Sequence, residues 1–141
     1  MYEQLTAALA AEEAAIYAYG VVGVKLPGAA DRTAARAAEQ AHRDRQAALV
    51  VELARRKAST PPEPAAYRLP FPVTDRPSAL KLAIHVEDGV AAAWRAVLPV
   101  TQDAERASAL TALTDAAVRA TRWRRSAGVT PVTLPFPGRP G

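Results

Sequence analysis

The chain has no cysteine, which excludes disulfides, thiolate nucleophiles and cysteine-ligated metal sites. Aromatic residues are scarce at 6%, and lysine is limited to Lys25, Lys57 and Lys81, so most positive charge is arginine. There is no long block of one sign. The formal net charge of +4 is spread along segments of mixed charge, which argues against a dedicated nucleic-acid-binding arm. The opening residues, Met1–Thr6, lack a basic stretch followed by an apolar run, and no stretch reaches the ~20 apolar residues of a membrane span. Neither a signal peptide nor membrane contact is expected, and the expected location is cytoplasmic.

What the chain does have is alanine and proline. Half of its 141 residues are hydrophobic, with alanine, the best helix former, the largest share. The length suits one domain with a core of four helices of roughly 20–28 residues each. Proline and glycine punctuate it. Pro27 and Gly28 close a first helix over about 2–25, and Asp31 is a good N-cap for a second over 32–58. Six prolines between Ser59 and Ala79 rule out helix there and predict an extended segment. Asp75 can cap a third helix over 76–98, with Pro77 in its first turn and Pro99 at its end. Thr101 can cap a fourth over 102–127, with Asp103 and Glu105 near its positive end and Gly128 just past its close. Residues 1–128 thus read as one helical body with a linker over 59–79, and 129–141 as a proline-rich tail.

The two short loops force antiparallel neighbours. The linker of about 20 extended residues reaches roughly 60 Å, whereas a helix of ~23 residues is only ~35 Å long. It can cross the full length of the body. One long crossover between two helical hairpins predicts an all-α, ferritin-like four-helix bundle.

The halves resemble each other. The stripe Leu5, Leu9, Glu12, Ile16, Tyr19, Gly23 reappears seventy-five positions later as Leu80, Ile84, Glu87, Ala91, Trp94, Leu98. Both follow the spacing of one helix face, apolar except for one mid-stripe carboxylate. A buried carboxylate is costly unless paired, hydrogen-bonded or bound to metal. The second helix adds Glu39-Gln40-Ala41-His42, a Glu-x-x-His pair on one face. Glu12, Glu39 and Glu87 each fall ~12–16 Å from the start of their helix, at matching depth. Carboxylate with imidazole suits Fe, Mn or Zn, and di-metal bundles take a Glu from two helices and Glu-x-x-His from the other two. The fourth helix breaks the pattern: the same offset maps Glu39 to Thr114 and His42 to Ala117. The remaining set, Glu12, Glu39, His42 and Glu87, either holds one metal ion or forms a metal-free polar cluster. Arg43 can pair with Glu39, and Arg45, Tyr19 or Thr114 can supply further hydrogen bonds.

The segments Ala11–Gly20, His42-Arg43, Tyr67-Arg68-Leu69-Pro70-Phe71-Pro72-Val73, Glu87-Asp88 and Ala91–Trp94 are similar to a ferritin-like family of uncharacterised bacterial proteins, a domain of unknown function. The likeness covers nearly the whole chain, and Tyr-x-Leu-Pro-Phe-Pro is its most specific part. It implies a ferritin-like bundle, in a superfamily that stores or oxidises iron or activates oxygen at two-metal carboxylate sites. Thr114 and Ala117 depart from that pattern, which speaks against a two-metal enzyme.

Other features have plain readings. Arg119, Arg122, Arg124 and Arg125 around Trp123 suit a helix C-terminus, with Asp115 pairing Arg119 and the tryptophan packed on a neighbour. Glu52 pairs with Arg56. His85, about 200° around the helix from Glu87, is a surface residue. The Leu-Pro-Phe-Pro repeats at 69–72 and 134–137 should lie over grooves and close the core. The expected function is therefore a structural or partner-binding role with a degenerate carboxylate/His site. The first alternative is a mononuclear Fe, Mn or Zn protein, and the second a nucleic-acid-associated basic protein. A homodimer fits the flat, alanine-rich faces, and an unidentified protein partner stays open.

Overall fold

The structure, a computed structural model, describes residues 2–140; the outermost residues of the expected body and tail, Met1 and Gly141, lie outside it. Four helices form: α1 Tyr2–Gly23, α2 Ala29–Arg55, α3 Arg76–Val97 and α4 Asp103–Ala127. There is no strand among the described residues.

Helix ends follow local chemistry, with two departures from expectation. Asp75 caps α3 as predicted, accepting from the Ser78 amide while the Ser78 hydroxyl accepts from the Asp75 amide. Gly128 ends α4 in the left-handed region at φ 69°, a conformation that costs glycine little. Asp31, however, is not the cap of α2. The helix starts three residues earlier with Gly28 as N-cap, and Asp31 sits in its first turn, bound to Arg76 Nε at 2.7 Å. Thr101 does not cap α4 either, because its hydroxyl donates instead to the Val97 carbonyl at 2.9 Å. Gln102 takes the N-cap position, and Pro99 falls in a 3-10 turn, Leu98–Val100, that finishes α3.

Backbones pack closely between α1 and α2, α1 and α3, and α3 and α4. Two apolar clusters result. One joins Leu5 and Leu9 of α1, Leu49 and Leu53 of α2, Val90, Trp94 and Val97 of α3, and Ala109 and Leu113 of α4. The other joins Tyr19 and Val22, Ala35 and Ala38, Leu80 and Ala83, and Trp123. The first takes the early halves of α1 and α4 and the late halves of α2 and α3; the second takes the opposite halves. So α1 and α4 run one way, and α2 and α3 the other. Ala58 packs on the first cluster and Leu69, Phe71 and Val73 on the second, so the linker passes between them. Between the two clusters lie three fully buried polar side chains: Glu12, His42 and Glu87.

Two surface expectations need correction. Leu69 and Phe71 are half-buried, with Lys81 Nζ 4.5 Å over the Phe71 ring, but the matching Leu134 and Phe136 are exposed. The tail is anchored by backbone instead. Arg95 donates to the Pro137 carbonyl at 3.2 Å, and Gly138 lies so close to α3 that a Cβ there would meet the Ala91 oxygen at 2.6 Å. By length and composition α1 also meets the criterion for a membrane span, contrary to expectation; 56% of that window is buried inside the fold, Glu12 with it.

Candidate functional site: a buried carboxylate–imidazole network

The mid-helix carboxylates of α1 and α3 point inward because each stands within an apolar stripe. His42 of α2 lies between them and links both. Its Nδ1 is 2.5 Å from Glu12 Oε2 and its Nε2 is 2.8 Å from Glu87 Oε1. Two carboxylates on two ring nitrogens require two N–H donors, which is the imidazolium. Burial pushes the His42 pKa down, but hydrogen bonds to Glu12 and Glu87, reinforced by their charges, outweigh it and hold the pKa at about 9.

Further donors complete the shell. Trp94 Nε1 donates to Glu12 Oε1 at 2.7 Å. Tyr19 donates to Glu87 Oε1 at 2.7 Å and itself accepts from Trp123 Nε1 at 2.8 Å. Burial, and then the Glu87 charge, raise the Tyr19 pKa well above its usual value, so the phenol keeps the proton it donates. Arg119 of α4 reaches in and places Nε 2.9 Å from Glu87 Oε1. Two carboxylates face one imidazolium and one guanidinium, so the formal charges cancel. Glu87 Oε2 and Arg119 Nη2 are buried without a partner.

Three of the four expected site residues, Glu12, His42 and Glu87, are thus brought together. Glu39 is not. Its side chain is 31% exposed and pairs with Arg43 at 3.4 Å. Residues three apart are ~60° apart around a helix, and the rotation that centres His42 turns Glu39 out toward the linker. Tyr19 bonds Glu87 as foreseen, whereas Arg45 goes to Asp115 at 2.5 Å and the Thr114 hydroxyl bonds back to Leu110. The expected Asp115–Arg119 pair therefore does not form. Nor is there a patch of four arginines, since Arg119 and Arg124 turn inward to Glu87 and Asp88. Glu52 does pair with Arg56, at 2.7 Å, and His85 is exposed. Among the described residues, no group of three or more His, Cys, Asp or Glu side chains is spaced to hold a metal ion.

Trp94, Trp123 and Arg119 join the site without having been assigned to it. Trp94 stood in the same stripe as Glu87, about two turns further along α3, so its indole N–H was the available signal; Arg119 had none. Replacing Trp94 with Phe keeps a ring but strands Glu12 Oε1. The expected cost is about 1–3 kcal/mol, measured by urea unfolding against wild type with circular dichroism to verify helix content.

Four helices of this arrangement, closed around a charge-balanced carboxylate–imidazolium network, define an all-α protein with a polar core. The chain belongs to the family described as a domain of unknown function (DUF4439), which it matches over residues 4–141. It is similar to the crystal structure of a conserved hypothetical protein, rv2844, from Mycobacterium tuberculosis. The identity is 39% and the TM-score 0.84, over 89% of this chain and 95% of that one. No curated protein matches the chain.

Proposed function

We propose that this is a ferritin-like bundle whose polar core serves as a structural salt-linked network, in a protein with a scaffold or partner-binding role rather than a catalytic one. Three observations support the ferritin-like reading. The stripes of α1 and α3 repeat, α2 and α3 run in the same direction, and the linker passes from one apolar cluster to the other. A single observation carries the functional reading: both ring nitrogens of His42 are engaged by Glu12 and Glu87, which leaves no lone pair for a metal. The set does not fit a two-metal carboxylate centre. Glu39 turns out to Arg43, Thr114 is exposed, Ala117 carries no donor, and Arg119 brings a cation to Glu87.

The alternative, a mononuclear Fe, Mn or Zn site, makes the opposite prediction. Protein purified without chelator is expected to carry the same trace metal, well below one ion per chain, in wild type and in a Glu12→Gln, His42→Gln variant. Elemental analysis of both, with circular dichroism to verify helix content, checks this. Near-stoichiometric metal in wild type that disappears in the variant would establish the metal site instead.

A further inference from the structure

α2 and α4, joined side by side through Arg45 and Asp115, lack the close backbone packing of α1/α2, α1/α3 and α3/α4 and leave a seam. The Arg45–Asp115 ion pair, at 2.5 Å, straps it at mid-height. A cavity lies on each side, and each reaches one arm of the polar network. The first, about 330 Å³, is walled by Trp94, the donor to Glu12. Its arginines are spoken for: Arg45 by Asp115, Arg55 by Glu52, and Arg56 by Glu52 and Glu105.

The second, about 400 Å³, is lined by Ala34, Ala37 and Ala38 of α2 and by Arg119, Arg122 and Trp123 of α4. Its charges are only partly engaged: Arg119 is paired with Glu87, whereas Arg122 is exposed. Arg119 engages Glu87 through Nε alone, and its Nη2 is without a partner. Arg122 forms no ion pair among the described residues, while the acid at the rim, Asp31, is held by Arg76 at 2.7 Å. One wall therefore carries two guanidiniums, Arg122 exposed and without an ion pair and Arg119 with one buried, unpartnered nitrogen, and the guanidinium's planar fork suits a carboxylate. The facing wall is methyl groups too short to fill the gap, bordered by an indole edge. An apolar wall opposite a converging pair of polar groups is the usual composition of a small-molecule site.

We infer that the α2/α4 seam beside Arg119 and Arg122 binds a small monocarboxylate with an apolar body, its carboxylate on the two guanidiniums and its body over Ala34 and Ala37. This goes beyond the scaffold reading and does not depend on it, since the metal content of the core is measured separately. The ligand would share Arg119 with Glu87, so the site communicates directly with the buried network.

The test uses the full chain with benzoate and hexanoate as probes and inorganic phosphate as the comparison, followed by calorimetry and by tryptophan emission in a Trp94→Phe background, where Trp123 alone reports. Saturable binding with Kd on the order of 0.1–1 mM is expected for the carboxylates, with no saturation by phosphate in the same range. Arg122→Gln, on the surface and outside the network, should weaken binding about tenfold or more. Ala34→Leu, which fills the apolar wall, should abolish it. Circular dichroism verifies that both variants fold. No carboxylate binding, equal binding of phosphate, or affinity unchanged in both variants would overturn the proposal.

Discussion

Replacing His42 with alanine is expected to destabilise the protein by about 3–5 kcal/mol at neutral pH, the range for breaking a buried ion pair by removing one partner. With total stabilities of about 5–15 kcal/mol for a domain, that is a large fraction of the whole. Little of it comes from the lost ring volume. His42 donates to Glu12 at 2.5 Å and to Glu87 at 2.8 Å, with all three side chains fully buried. Without it, Glu12 keeps one indole donor and no cation, while Glu87 keeps Tyr19 and Arg119. Replacing Glu12, His42 and Glu87 together with leucine or methionine should instead be close to neutral or stabilising, because nothing charged is then left uncompensated. Urea unfolding of both variants, followed by circular dichroism, reads the contrast. A His42→Ala protein as stable as wild type would mean that the imidazole is neutral and expendable, and the charge-balanced description of the core would be wrong.

Raising the pH from 6.5 to above 9 is expected to cost the folded state about 3 kcal/mol through His42 alone. Burial works against the imidazolium, but the hydrogen bonds to Glu12 and Glu87 outweigh it and hold the folded pKa at about 9, against an ordinary value of 6.5. A folded pKa above the unfolded one means that the native state binds the extra proton. The stabilisation is therefore complete below about pH 6.5, declines through the window between, and is gone once the pH has passed about 9. Unfolding free energies measured at intervals from pH 6 to 9.5 should fall across that window. The imidazole resonances absent from a His42→Gln spectrum identify the residue, and their titration should have its midpoint near 9. A neutral His42 signal at pH 7.5 would refute the assignment.

Much of this protein was legible in the residues themselves. Local rules decide where helices begin and end, so proline, the Asp75–Ser78 capping pair and Gly128 predicted four helices to within a few residues. Period and polarity decide which face is buried, so Glu12 and Glu87 stood out as carboxylates inside apolar stripes, and the helix that would meet them carried His42. Where two local solutions compete, the sequence did not decide. Asp31 and Thr101 were both good caps by type, yet each found a partner outside that role, in Arg76 and in the Val97 carbonyl.

The roles of Glu39, Arg119 and Asp115 belong to tertiary structure alone. Glu39 and His42 share a face at the resolution of a sequence pattern, but a turn of a few tens of degrees about the α2 axis separates a core ligand from a surface ion pair. Asp115 and Arg119 satisfy the spacing of a helical pair, yet the first crosses the seam to Arg45 and the second turns in to Glu87. Spacing along a chain determines which residues can meet within a helix. Which of them do meet depends on the rotation and separation of neighbouring helices, set by the packing of every side chain at once.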